Sequence, residues 1–250
     1  MATAAYLLID VSNSYTKLAF SSQGRVGKPF RIRTKELTRD ALQTHLRRRD
    51  AKAVIVSSVV PARNALIRAA AGKRHLLFID GRTRLGVGVD YPNPQTIGAD
   101  RLANAAAVAQ LYGRPAVVVD FGTAVTFDVV SAAGDYVGGV IAPGLEAMTN
   151  FLYQRTALLP KLTLREPASA IGRTTRAAMM SGAVYGYRGL VREIIARIRA
   201  ESFPRGKVRV VATGGYARLI ARQLPEIEAV HEGLTLDGLR LIANLNLGPA

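Results

Sequence analysis

Three short stretches of the chain carry residue types suited to phosphate chemistry. The first is Asp10-Val11-Ser12-Asn13-Ser14-Tyr15-Thr16-Lys17, which directly follows an apolar run at 5–9. Short hydroxyl and amide side chains on a tight turn leave backbone N–H groups exposed, and such a nest cradles phosphate oxygens. Asp10 at its entrance can hold a magnesium ion through water, and Lys17 can neutralise phosphate charge. The second stretch is Asp120-Phe121-Gly122-Thr123-Ala124-Val125-Thr126-Phe127-Asp128, where Gly122 lets the backbone approach a ligand closely. The third is Gly98-Ala99-Asp100-Arg101, just after Tyr91-Pro92-Asn93-Pro94. Here a carboxylate suited to general-base work stands beside a guanidinium suited to a bidentate grip on a substrate carboxylate. Read as structure alone, these are two hairpin turns and a helix cap with a solvated charge. Two glycine-rich spots, Gly138-Gly139 with Pro143-Gly144 and Thr213-Gly214-Gly215, are weaker signals, the second following a strand where open α/β folds place ligands.

The elements that must position these residues follow from periodicity and turn chemistry. The pattern predicts a strand at 5–9, a strand resuming at Leu18, a hairpin near Gly24, and a helix over 38–50. A buried strand is expected at 53–60, a helix from Pro61 to residue 71, a short strand at 76–79, and an alanine-rich helix over 100–111. At residue 117 the opening pattern returns. VVVDFGTAVTFDVVSAAG at 117–134 lies over LLIDVSNSYTKLAFSSQG at 7–24 at a constant offset of 110, which pairs Asp10 with Asp120, Thr16 with Thr126, and Gly24 with Gly134. A repeat at this distance implies a duplicated α/β fold rather than a short-period solenoid. Two phosphate loops facing each other across a duplicated fold would clamp a polyphosphate from both sides. The second half is expected to add a strand at 136–141, a helix to about 155, and a long helix over 175–200. That long helix is assigned the apolar face Ala178, Met179, Gly182, Tyr185, Gly186, Leu190, Ile194 and Ile198. A strand at 208–212 and a closing helix at 234–246 complete it. The halves divide at 113/114.

Composition narrows the function classes. The 250 residues are 49% hydrophobic and 21% charged, a globular balance with ample material for a core. Cysteine is absent, which excludes disulfides, thiolate zinc sites and cysteine catalysis. Lys and Arg number 34 against 18 Asp and Glu, for a net charge of +16. Such a balance suits an anionic partner, but the basic residues are scattered and aromatic interleaving is missing, so a nucleic-acid surface is not expected. The short apolar start, interrupted by Asp10, fits neither a signal peptide nor a membrane span. A cytoplasmic protein with no membrane association is the expectation.

Taken together, the residues resemble the type III pantothenate kinases, members of the acetate and sugar kinase, Hsc70 and actin superfamily. The resemblance runs from Leu8 to about Asn246 through DVSNSYTK at 10–17, SSVVP at 57–61, YPNPQTIGADR at 91–101, DFGTAVTFD at 120–128, GGVIAPG at 138–144, GRTTRAAMMSGAVYG at 172–186 and TGG at 213–215. It implies a duplicated ribonuclease H-like (actin-like ATPase) fold, with two similar α/β halves, residues 1–113 and 114–250, and a cleft between them. It further implies transfer of the terminal phosphate of ATP to the primary hydroxyl of pantothenate, the first step of coenzyme A synthesis. By resemblance, Asp100 is the proton acceptor, and Tyr91, Gly98, Ala99, Asp100, Arg101 and Thr175 contact pantothenate. Asp10 through Lys17 and Thr123 bind ATP with Mg2+, and Asp120 holds a monovalent cation, K+ or NH4+. A homodimer is implied as well.

The chain departs from the family at one loop. The usual D-x-G-N-T-x-x-K has Ser12 in place of its glycine and Ser14 in place of its threonine. Serine adds a Cβ, so a loop held slightly too wide and weak ATP binding are expected. The alternative reading, suggested by the altered loop and the +16 charge, is a kinase-like accessory factor for transcription that binds nucleic acid or a protein partner.

Overall fold

The structure is a computed structural model that describes residues 4–49 and 51–248. In chain order it forms β1 (Ala4–Val11), β2 (Tyr15–Ser21), β3 (Phe30–Arg33), α1 (Arg39–Arg48), β4 (Ala51–Ser58), α2 (Asn64–Ala71), β5 (His75–Phe78), β6 (Gly88–Val89) and α3 (Ala99–Leu111). There follow β7 (Ala116–Phe121), β8 (Ala124–Val130), β9 (Asp135–Pro143), α4 (Leu145–Arg155), α5 (Thr175–Ser202), β10 (Arg209–Thr213), α6 (Ala217–Ala221), β11 (Ala229–Val230) and α7 (Leu234–Leu247). Two compact units result. One contains the chain up to Tyr112, residues 134–137 and the segment from Gly233 onward; the other contains Gly113–Ala133 and Gly138–Glu232.

Each unit is built on the same sheet. The first has the order β3-β2-β1-β4-β5, with β1 antiparallel to β2 and parallel to β4. The second repeats this order as β9-β8-β7-β10-β11, with β7 antiparallel to β8 and parallel to β10, and carries β6 as a sixth strand beyond β9. The duplication read from the sequence is therefore a duplication of topology, and the chain has the ribonuclease H-like α/β fold twice. Parallel strands buried on both faces explain the unbroken apolar runs at Leu7-Leu8-Ile9, Val54-Ile55-Val56 and Val117-Val118-Val119, all nearly inaccessible. One face of β7 and β10 (Val117, Val119, Phe121, Val210, Ala212) packs with Val184, Tyr187 and Val191 of α5. The matching face in the first unit is Leu7, Ile9, Val11, Val54 and Val56, packed with Leu42, Leu46 and Ile67.

The hairpins are not equal in length. In β1/β2 Val11 pairs with Thr16, whereas in β7/β8 Phe121 pairs with Val125. The second turn is one residue shorter, so the constant offset of 110 slips by one in the strands that follow. By register and burial it is Val125, not Thr126, that occupies the place of Thr16. Turn length sets register, and a one-residue slip exchanges the faces of every side chain beyond it.

Two further assignments change. The buried stripe of α5 is Met180, Val184, Tyr187, Val191, Ile195 and Ile198, with Ser181 and Arg188 beside it. The stripe expected from the sequence leaves Tyr185 exposed and Gly182 and Gly186 in open space. Both stripes keep helical spacing, and the larger apolar volumes lie on the buried one. The closing helix α7 packs within the first unit, against α3. A Cβ at Gly238 would collide with the Ala103 carbonyl, and Thr235 Oγ1 donates to Asn104 Oδ1 at 2.8 Å. Arg240 and Asn244 both donate to the Gln23 carbonyl, at 2.9 and 3.0 Å. Among the described residues no helix is long and apolar enough to cross a membrane.

Candidate active site

Asp10 is the penultimate residue of β1 and is nearly inaccessible, while Asn13, Ser14 and Tyr15 on the turn are exposed. The turn is closed by Ser12 N–H donating to the Tyr15 carbonyl at 3.2 Å. Thr34, just after β3, holds it from beneath. Its hydroxyl donates to the Ser12 carbonyl at 2.6 Å and lies 3.1 Å from Thr16 Oγ1, and its N–H donates to the Ser14 carbonyl at 3.1 Å. Thr34 carried no signal in the sequence, because its partners lie some twenty residues away. Among the described residues no residue other than glycine has a positive φ, so Ser12 sits in a conformation open to any side chain. The backbone freedom of glycine is not required there. Lys17 is directly opposite Asp10 on β2, half-buried.

The second loop, Gly122-Thr123, is exposed between β7 and β8. Two glycine motifs pack on it. Gly144 N–H donates to the Thr123 carbonyl at 3.2 Å, and a Cβ on Gly144 would collide with that oxygen and with the Gly122 carbonyl. Gly214, with φ +92°, lies where a Cβ would fall 2.5 Å from Asp120 Oδ1 and 2.6 Å from the Phe121 nitrogen. Only glycine fits either place. Tyr187, buried on α5, donates to the Pro143 carbonyl at 3.2 Å, and burial pushes its phenol up to about 12, so it remains a donor. Thus the DFGT, PG and TGG motifs, more than ninety residues apart at the extremes, form one cluster in the second unit.

The third stretch opens α3. Gly98 is its N-cap and Asp100 lies in its first turn, where a carboxylate is favoured by the helix dipole. The Asp100 carboxylate curls back, accepting from Arg101 N–H at 2.9 Å, and a Cβ on Gly98 would come 2.6 Å from Asp100 Oδ1. Arg101 lays its guanidinium over the Tyr136 ring, 5.6 Å from the centroid, and Tyr91 meets the same ring edge-on at 6.1 Å. All of these belong to the first unit. Tyr136, fully buried, is the residue that sequence reading missed; it belongs to β9, 35 positions after Arg101, and only the pairing of β6 with β9 brings it here. Ala99 is buried behind the turn. Thr175 is the first residue of α5 in the second unit, exposed, next to the N-cap Thr174 whose hydroxyl accepts from Ala177 N–H at 3.2 Å.

Comparison with known proteins decides the family. A family model described as type III pantothenate kinase matches residues 6–197. The chain belongs to the type III pantothenate kinase family. A type III pantothenate kinase of Akkermansia muciniphila is 49% identical over 248 residues, covering 97% of this chain and 99% of that protein. One from Methylacidiphilum infernorum is 43% identical over 239 residues, covering 96% and 88%. Among solved structures, a conserved putative Baf family transcriptional activator from Campylobacter jejuni superposes with a TM-score of 0.65 at 19% identity, covering 97% of this chain and all of that one. A putative 2-dehydro-3-deoxygalactonokinase from Sinorhizobium meliloti gives 0.59 at 14%, covering 98% and 100%. At these identities the structural likenesses show the shared fold, which is that of the actin-like ATPases and sugar kinases. As a kinase of this family, the protein is a phosphotransferase that uses ATP.

Proposed function

We propose that this chain phosphorylates pantothenate with ATP to give 4'-phosphopantothenate, opening coenzyme A synthesis in the cytoplasm. Beyond family membership, one observation carries the reading: at the start of α3, a carboxylate and a guanidinium are fixed side by side against an aromatic pair. A guanidinium held over a ring keeps a defined orientation, which suits Arg101 to a substrate carboxylate. Tyr91, Gly98, Ala99 and Thr175 complete the acceptor contacts in this proposal. With pantothenate anchored by its carboxylate, its primary hydroxyl is oriented toward the γ-phosphate, and Asp100 accepts its proton as the P–O bond forms.

The two loops receive the nucleotide. The turn Asp10 to Lys17 and Thr123 bind the phosphates, with Lys17 offsetting their charge. The residues fit the expected cations: Asp10 for a magnesium ion held through water, and Asp120 for K+ or NH4+. When bound, these ions neutralise phosphate charge that develops during transfer. In this proposal each unit contributes one loop, Asp10 to Lys17 from the first and Thr123 from the second.

We also propose a homodimer. Helix α4 presents Met148, Phe151 and Leu152, which are 40%, 59% and 41% exposed, as one stripe at helical spacing. An apolar stripe of this kind marks an interaction surface, and a second copy of the chain is the occupant that the family reading supplies. Light scattering on the purified protein tests this; a monomer at micromolar concentration rejects it.

The function itself is tested by coupled ADP release. Release that requires pantothenate, and that is faster in potassium than in sodium, is expected. ADP release indifferent to pantothenate would overturn the reading.

A further inference from the structure

On the face of the second sheet opposite α5, four oxygen-bearing side chains share adjacent registers. Asp120 on β7 is flanked by Thr126 on β8 and by Thr213 on β10, and Asp128 lies two residues further along β8, on the same face. Residues in register on neighbouring strands stand about 4.8 Å apart and project to the same face. The hydroxyl of Thr126 is committed, donating to Asp128 Oδ2 at 3.2 Å. Thr213 differs. It is 1% exposed, and its hydroxyl has no hydrogen-bonding partner among the described residues. Buried hydroxyls of native proteins find partners, so one without a partner, beside a carboxylate, points to something bound.

Two observations turn this from a packing defect into a site. The Gly214 turn wraps the Asp120 carboxylate so closely that a Cβ would reach Oδ1, and Tyr216 N–H donates to the Phe121 carbonyl at 3.4 Å, so strand β10 ends fastened to strand β7. The first unit repeats the arrangement: Ser57 on β4 stands at the register of Asp10 on β1, fully buried, with its hydroxyl likewise unpartnered. A feature kept in both copies of a duplicated sheet, with serine exchanged for threonine, follows the carboxylate rather than the local packing.

We infer that Thr213 is a second protein ligand, beside Asp120, for the monovalent cation, supplying a neutral oxygen next to the carboxylate. The inference rests on the proposed role of Asp120. The donor chemistry fits: a weakly hydrated monovalent ion exchanges its water for neutral oxygens, and one carboxylate balances its single charge.

The test is titration of the full-length enzyme, free of nucleotide, with thallium(I) followed by 205Tl NMR, alongside melting curves in potassium and in tetramethylammonium buffers. Thr213→Val is expected to weaken thallium binding about ten-fold, a loss of about 1.4 kcal/mol. It should also melt at or above the wild type in tetramethylammonium, since it removes a buried hydroxyl without a partner. The rise in melting temperature on adding potassium should shrink with it. Thr213→Ser, which keeps the oxygen, should bind within about three-fold of wild type on the same scale. Wild-type thallium affinity in Thr213→Val, with binding lost in Asp120→Asn, overturns the inference and leaves the Asp120 role standing. Wild-type affinity in Asp120→Asn as well removes that role and the inference with it. Serine as weak as valine would mean that shape, not oxygen, matters, and would overturn it too. Thr213→Ala, which also lacks the oxygen, gives the same readings should the valine variant not fold.

Discussion

Arg188 grips both carboxylate oxygens of Glu166, Nη1 to Oε1 at 2.9 Å and Nη2 to Oε2 at 2.7 Å. The same guanidinium donates to the Leu219 carbonyl at 2.7 Å and to the Ile220 carbonyl at 3.3 Å. One buried side chain on α5 therefore holds the irregular segment leading to Thr175 and also the last turn of α6, which begins just after Thr213-Gly214-Gly215. It fixes two candidate ligand segments of the second unit to one helix without touching a ligand.

The two partners are unequal, and so are their expected losses. Arg188 is 6% exposed and serves four acceptors, whereas Glu166 is 39% exposed and can rehydrate. Arg188→Met leaves the Leu219 and Ile220 carbonyls without their donor and should cost about 3 kcal/mol. Glu166→Gln leaves the carbonyl contacts in place and should cost about 1 kcal/mol or less, as for exposed pairs. Urea denaturation of both variants measures this, and equal losses would contradict the asymmetry.

The pair also sets an acid limit. The hydrogen bond from Arg188 holds the Glu166 carboxyl below its ordinary value of 4.5, outweighing the opposing effect of burial. A depressed carboxylate stabilises the fold in full above its unfolded value, and that contribution is lost as pH falls through the folded value. Stability of the wild type should therefore exceed that of Glu166→Gln near neutrality, with the gap closing below pH 4.5. Melting curves at stepped pH would show it. A constant gap would mean that the carboxylate charge contributes nothing.

Asp100→Asn keeps an oxygen able to accept from Arg101 N–H, so α3 should start as before. Turnover should fall by roughly 10²-fold or more, the scale for loss of a general base, while the melting temperature falls only slightly, the lost helix-dipole contribution being about 0.3–1 kcal/mol. Near-normal kcat in the folded variant would remove Asp100 from the proton transfer.

What the sequence made legible is what is local. The apolar runs ending in Asp10 and Asp120, the polar turns after them and the glycine-rich spots are short-range signals, and the structure has strands, turns and close glycine contacts at those points. Thr34 and Tyr136 were invisible because their roles depend on sheet pairing: β2 with β3 for one, β6 with β9 for the other. The face of α5 was misassigned because two stripes compete and only packing against Val117, Val119 and Phe121 selects one. The one-residue difference between the hairpins escaped because identities at Asp10/Asp120 and Gly24/Gly134 conceal it.

Thr34 gives a prediction that no motif suggested. Its hydroxyl donates to the Ser12 carbonyl at 2.6 Å and accepts from the Thr16 hydroxyl, so Thr34→Val leaves one acceptor and one donor unsatisfied beneath the first loop. Stability should drop by about 1–3 kcal/mol. The KM for ATP should rise with little change in kcat, because a loosened cradle weakens ground-state and transition-state binding alike. Thr34→Ser, retaining the donor, should restore most of both. An unaltered KM in the valine variant would mean that the loop keeps its shape without this support.

Ser12 is where sequence and structure give opposite expectations. The sequence sets a serine at a family glycine and so implies a loop too wide for tight ATP binding. The geometry removes that reason: no non-glycine residue described has a positive φ, the Ser12 carbonyl is pinned by Thr34, and its N–H closes the turn on Tyr15. A glycine here would gain nothing from its left-handed freedom and would add flexibility that must be lost on folding. It would also delete a half-buried hydroxyl at the mouth of a phosphate cradle, where a charge-assisted bond is worth about 1.5–3 kcal/mol. Ser12→Gly should therefore raise the KM for ATP, by roughly ten-fold if the hydroxyl donates to phosphate, at about 1.4 kcal/mol per decade. Because the hydroxyl contacts a group that does not change between bound ATP and the transition state, kcat should move little. Ser12→Ala separates the two contributions, since it removes the hydroxyl but keeps the Cβ; it should match the glycine variant. A KM that falls in Ser12→Gly but not in Ser12→Ala would identify the Cβ as the obstacle and restore the reading drawn from sequence.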